Sequence, residues 1–201
     1  MTHFPATLSY SHVVQGIIVG AVLAFVTAQL IMNAVVRAMT TTVNGWSTTV
    51  KAGQPGNGLL VRAACARVLP GVNVVQEAAY WTTTVDGAGR RLNGQHEYVL
   101  RFPAGQLPPN DAFWSLTMTD VVGYMVRNPI ARYSVGSRSG LVPNADGSID
   151  IYLRRTAPAA GHESNWLPVP AGNFKLMLRA YVPGRAVLDG AYHVPPVMKV
   201  Q

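Results

Sequence analysis

The sequence predicts a mainly β protein, an antiparallel sandwich or barrel, carried on one N-terminal apolar helix. Three observations point there. No Lys, Arg, Asp or Glu falls between Met1 and Val36, and the run from Val13 to Val36 is apolar almost throughout. Beyond a polar stretch and one short helical segment, the chain breaks into short β-branched and aromatic runs, several of them alternating. Gly and Pro (19 and 14 residues) punctuate those runs at turn spacing.

The apolar run is long enough to cross a bilayer, whose core takes roughly 20 helical residues. Residues 1–37 are therefore read as a membrane anchor. Val26-Thr27-Ala28 has the small-residue character of a signal cleavage site. No basic region precedes the run, however, and its apolar character continues past Ala28, so a retained anchor is the better reading. Gly16, Gly20, Ala24 and Ala28 recur every fourth residue and share one helix face. Small residues so spaced let a second helix approach closely, because packing rather than hydrophobicity drives association in lipid. Gln29 lies deeper in the run than Gln15 or Asn33, and an amide at that depth needs a partner. These five residues form the predicted helix-packing seam, toward a second copy or a membrane protein partner.

Residues 38–58 read as a polar linker, with Gly45, Gly53, Pro55 and Gly56. A short helix is expected from Leu59 to Leu69, ended by Pro70-Gly71. The remainder of 59–201 is the predicted β domain. Strands are expected at Glu77–Val85, His96–Phe102 and Ala112–Thr119, with Gly123–Val126 pairing back on the last. Further strands are expected at Tyr133–Val135, Ile149–Leu153 and Phe174–Tyr181, with a turn at Asn144–Gly147. In the final strand Phe174, Leu176, Leu178 and Ala180 share one face, and Lys175, Met177, Arg179 and Tyr181 the other. Pro195-Pro196 belongs along an edge, since proline cannot serve a central strand.

Charge narrows the function. All 16 Lys+Arg and all 9 Asp+Glu follow Val36, so the part of the chain beyond the apolar run carries the whole net +7. A basic body beside a membrane suits anionic lipid headgroups or acidic envelope polymers. The cations are scattered, paired only at Arg90-Arg91 and Arg154-Arg155, which argues against nucleic acid. A single cysteine, Cys65, rules out an internal disulfide or a cysteine metal cluster. Arg37 and Lys51 follow the helix and no basic residue precedes it; alone, that places the body on the cytoplasmic side.

Several motifs occur in a characteristic order. They are Phe113–Met118, Asn128–Gly136, Asp146-Gly147-Ser148, Glu163–Pro168 and Phe174–Tyr181. In that order they resemble the bacterial family known as domain of unknown function 1214, from about Tyr80 to the C-terminus. The resemblance implies a jelly-roll-like β-sandwich, usually on the far side of the cytoplasmic membrane, often following a single N-terminal anchor as here. It implies no reaction, cofactor or catalytic residue. The expectation is thus a single-pass protein of the cytoplasmic (inner) membrane with a periplasmic domain.

The chemistry-bearing residues are few. Asp120 and Glu163 can act as a general acid and base if the fold brings them together and separates their pKa values. Arg132 and Arg179 can each grip a carboxylate bidentately, as loop ties or ligand contacts. Trp166, in a Pro-flanked loop, is the best aromatic candidate for a ligand, although a loop tryptophan more often plugs the end of a sandwich. His162-Glu163 lacks further ligands for a metal. No nucleophile elbow or phosphate-cradling loop occurs. No cofactor or metal is expected. These features favour a membrane-anchored, non-catalytic accessory or binding module of the envelope; the alternative is an envelope hydrolase using Asp120 and Glu163 on a carbohydrate-like substrate.

Overall fold

The computed structural model describes residues 10–50, 52–68 and 71–200. Lys51, the predicted helix end at Leu69-Pro70, Gln201 and the first nine residues of the predicted anchor lie outside the described residues.

One long helix, α1 (Tyr10–Met39), precedes a body of two sheets. The first sheet has six strands in the order β1-β2-β3-β9-β5-β6: Thr41–Val43, Trp46–Thr48, Ala78–Thr83, Phe174–Pro183, Asn110–Asp120 and Ser134–Gly136. The second has four in the order β10-β4-β7-β8: Val197–Lys199, Tyr98–Phe102, Ile149–Arg154 and Trp166–Pro168. All pairings are antiparallel except β7 with β8. The protein is mainly β, as expected, and the pair of sheets agrees with a jelly-roll-like sandwich.

Alternation builds the core. On β9, Phe174, Leu176, Leu178 and Ala180 are buried, while the intervening residues are only partly so. Leu116 and Met118 of β5 join them, and from the second sheet come Leu100, Phe102, Ile151 and Leu153, all in one cluster. Rings cross between the sheets, Phe102 against Trp114 at 5.5 Å and Tyr98 against Phe174 at 6.0 Å between centroids. Each such side chain removed from water contributes roughly 1.5–3 kcal/mol.

Two elements differ from expectation. The segment read as a linker contains a hairpin, β1–β2, at the edge of the six-stranded sheet. Asn44 and Gly45 supply its two-residue turn, both with positive φ (53° and 82°), the geometry Asn-Gly dipeptides favour. Trp46 is fully buried, and its indole N–H donates to the Pro195 carbonyl at 2.8 Å. Asn44 Nδ2 donates to the Val194 carbonyl at 3.0 Å, so the hairpin pins the C-terminal segment that leads into β10. The second correction concerns Gly123–Val126, which is a loop. Asp120 Oδ1 accepts the amides of Val122, Gly123 and Tyr124 (2.9, 2.7 and 2.9 Å), curling the chain into a tight turn. The strand pairing back on β5 is instead β6, with Ser134 opposite Thr117 and Gly136 opposite Ser115.

The second helix, α2 (Leu59–Val68), packs on the end of α1. Ala64 and Cys65, both buried, meet Met39, with Met32, Val35 and Val36 packed alongside. The small Ala64 permits that close approach. Only one residue, Thr40, separates α1 from β1, and its hydroxyl donates to the Val36 carbonyl at 2.7 Å.

Candidate functional site

The sequence-predicted polar residues do not form one site. Asp120, at the end of β5, is committed to its own turn. The amide of Tyr124, then that of Gly123, hold its carboxyl below the usual carboxylate range; slight burial opposes them, and the Val122 amide and the Lys175 charge add to them. A carboxyl so depressed is a poor general acid at neutral pH. Glu163 lies in a single 3₁₀ turn (Glu163–Asn165) and accepts the Gly161 amide at 2.9 Å. No hydrogen bond or ion pair joins Glu163 to Asp120 among the described residues.

Arg132 turns out to be a tie. Its Nη1 donates to the backbone carbonyls of Glu163 and Trp166, the latter at 3.0 Å. It thereby joins the loop before β6 to the strand β8 of the other sheet. The Trp166 side chain is buried, and its indole N–H donates to the Arg154 carbonyl at 2.8 Å. Neighbouring Asn165 is buried too, and its amide bonds the N–H and C=O of Val142 (both 2.8 Å) and the Asp150 carbonyl (2.9 Å). His162 stacks edge-on with Tyr152 at 5.8 Å. No group of three or more His, Cys, Asp or Glu among the described residues is placed to hold a metal.

Arg179 is different. It projects from the outer face of β9, where its Nε–H meets Met177 Sδ at 3.2 Å and no carboxylate pairs with it among the described residues. Register places Tyr80 of β3 on one side and Ser115 of β5 on the other. Lys175 and Tyr181 lie on the same face of the strand, and Tyr181 stacks on Phe113 at 4.3 Å. Tyr80, Lys175, Met177, Arg179 and Tyr181, with Val122, line a groove of about 500 Å³ between the sheet and the chain around Val68 and Gly71. That volume is in the range of ligand sites, roughly 300–1,000 Å³. At Val68 and Tyr80 the groove meets a second hollow of about 130 Å³, bordered by Val36 and Met39 of α1 and by Ser47 and Thr82. The two hollows adjoin at Val68 and Tyr80, and side by side they make a trough on the outer face of the sheet, from the foot of α1 to Arg179 and Lys175. Among the described residues no carboxylate lines it.

Sequence reasoning singled out Arg179 but not its companions. The signal was present in the outward face Lys175-x-Met177-x-Arg179-x-Tyr181; what was missing was that β3 would place Tyr80 beside it and that α2 would overhang it. The helix residues Gly16, Gly20, Ala24 and Ala28 are exposed, and a Cβ added at Gly16 or Gly20 would touch nothing. Gln29 is half-buried. The remaining long apolar side chains of α1 up to Ile31 are largely bare, Phe25 at 65% and Leu30 at 64% exposure. This helix is the one among the described residues that is long and apolar enough to cross a membrane.

Comparison with known proteins bears on the body. The family model described as protein of unknown function (DUF1214) matches residues 77–185. The crystal structure of the VPA0106 protein from Vibrio parahaemolyticus is similar, with a TM-score of 0.63 and 28% identity over 73% of this chain. This chain spans only 36% of that protein's length. An uncharacterized protein from Burkholderia cenocepacia gives a TM-score of 0.43 at 15% identity, covering 88% of this chain and 49% of that one, a likeness too remote to add to the fold assignment. No curated protein matches the sequence.

Proposed function

Because the chain belongs to the DUF1214 family, whose description names no reaction, we propose its function from its own anatomy: a membrane-anchored, non-catalytic binding or accessory module of the cell envelope. It docks through α1 to a second copy or to a membrane protein complex. The observation that carries this reading is the contrast along α1. Its apolar stretch has no buried residue, whereas its last two turns are packed into α2 and the body. An apolar surface left bare in this way calls for lipid or a partner helix.

The small-residue face supports the second half of the proposal. Gly16, Gly20, Ala24 and Ala28 are open along one side, with room for a neighbouring backbone. We place the helix in the cytoplasmic membrane and the body on its periplasmic side, as the family resemblance implies. There the net +7 suits anionic lipid or envelope polymers. The hydrolase alternative loses support from the commitment of Asp120 and Glu163 to their own loops.

The test is extraction of membranes with alkaline carbonate, then native mass determination of the gently solubilised protein. Retention in the pellet is expected, together with an oligomer or co-purified membrane subunit that Gly20→Leu disrupts. Release by carbonate would overturn the anchor. A monomer unaffected by Gly20→Leu would overturn docking through the helix.

A further inference from the structure

We propose that the trough on the outer face of the six-stranded sheet binds an anionic membrane lipid, its headgroup phosphate at Arg179, with Lys175 farther along the same groove, and its acyl end toward α1. This deepens the membrane-anchored reading above and rests on it.

Polarity changes along the trough. Where it meets α1 the borders are uncharged: Val36, Met39 and Val68 with Tyr80 and a rim of Ser and Thr, among them Thr40, Thr48, Thr49 and Thr82. At its far end Lys175 and Arg179 stand with Tyr80 and Tyr181. An amphiphile has the same gradation. The order of the gradient also matters. Val36 closes the uncharged run and Arg37 is the first charged residue, so this part of α1 lies at headgroup depth when the helix spans a bilayer. The apolar end of the trough therefore opens beside the membrane, and the cations lie farther along the sheet.

The cations are available. Arg179 makes a single weak contact, to a thioether, and has four further N–H donors; neither it nor Lys175 is in an ion pair among the described residues. Arginine suits a phosphate particularly well, because its planar fork bonds two oxygens at once. Tyr80 and Tyr181 flank it and can add hydroxyl contacts. The Asp120 carboxylate is close enough to feel the Lys175 charge, so Arg179 is the cation left without an acidic neighbour among the described residues and the principal one for the anion.

The experiment titrates the full chain, purified in a neutral detergent, with dihexanoyl phosphatidylglycerol, and compares glycerol 3-phosphate and dihexanoyl phosphatidylcholine. Saturable binding of the phosphatidylglycerol is expected, with both comparators at least tenfold weaker. Arg179→Gln with Lys175→Gln is expected to weaken it tenfold or more while leaving the melting temperature within a few degrees, since both side chains are on the outer face. Thr82→Trp, which fills part of the hollow beside α1, is expected to weaken the lipid and spare glycerol 3-phosphate. Equal binding of glycerol 3-phosphate would instead make the trough a site for a free phosphate anion. Absent binding, or binding indifferent to all three substitutions, would overturn the proposal. Carbonate extraction tests the anchor separately, so failure of either reading can be told from failure of the other.

Discussion

At the scale of single residues, the side chains that looked chemical are mostly structural. Asn165 provides a strand edge in miniature, its amide bonding both backbone groups of Val142. Replacing it with Leu leaves three backbone groups without partners, and we expect a loss of about 2–4 kcal/mol in denaturant unfolding. An unchanged midpoint would count against that role. Asp86 gives a pH dependence. Burial opposes its ionisation, but the amide and guanidinium of Arg90 and the amide of Ala88 outweigh that and hold its carboxyl below the usual range. Its ionised form stabilises the fold above the unfolded carboxylate pKa of about 3.9, and that contribution disappears as pH falls through the lower folded value. Asp86→Asn is therefore expected to flatten, without abolishing, the acid-side decline in unfolding midpoint, because Asp120 and Asp146 are depressed as well. An identical slope in the variant would refute this. Residue types in the sequence could not separate Arg132 from Arg179. One faces two carbonyls across the sandwich and the other an open groove, a difference set by long-range pairing.

At the scale of elements, legibility followed alternation. Strands β4, β7 and β9 show period-two burial, whereas β5 alternates only as far as Leu116 and is buried on both faces from there to Thr119; the structure shifts the ends of all four by only a few residues. The β1–β2 hairpin was hidden because its strands have three residues each and sit among Thr and Ser, too short for a period to show. Its Asn44-Gly45 turn was the one local clue. That hairpin matters beyond its size, since Trp46 holds the segment entering β10. Trp46→Ala is expected to cost about 3–5 kcal/mol and to speed amide exchange in Val197–Lys199. Trp46→Phe keeps most of the packing and loses the hydrogen bond, so a cost of about 1 kcal/mol is expected. Were the alanine variant to leave β10 exchange unaltered, the pinning role would be wrong. Close approach accounts for Gly136, where any Cβ would fall on the backbone of Trp114 and part β6 from β5.

For the whole molecule, the sequence foretold an apolar helix and a β body but joined them by a linker. The structure joins them directly, through Thr40 and the packing of α2 on α1. Helix and body should therefore move as one. Spin labels at Ala34 and Ala112, both exposed, with Cys65 replaced by Ala, are expected to give a narrow distance distribution in lipid nanodiscs. Ala64→Phe overpacks the α1–α2 contact at a cost of about 1–3 kcal/mol, and should broaden it. Equal widths in both proteins would show that α2 is not the clamp. The trough was beyond sequence reading because it needs β3, β9, α2 and the foot of α1 at once, elements separated by much of the chain.

The single-residue junction at Thr40 has a mechanical meaning. A loosely tethered body would swivel freely whatever happened to its stalk. Here α1 is a crankshaft: turning it about its long axis, or tilting it, carries β1 and the rest of the six-stranded sheet through the same angle. A neighbouring helix seated on the Gly16–Ala28 face would thus fix the compass bearing of the body above the bilayer. Assembly in the membrane would select the direction in which Arg179 and Lys175 point.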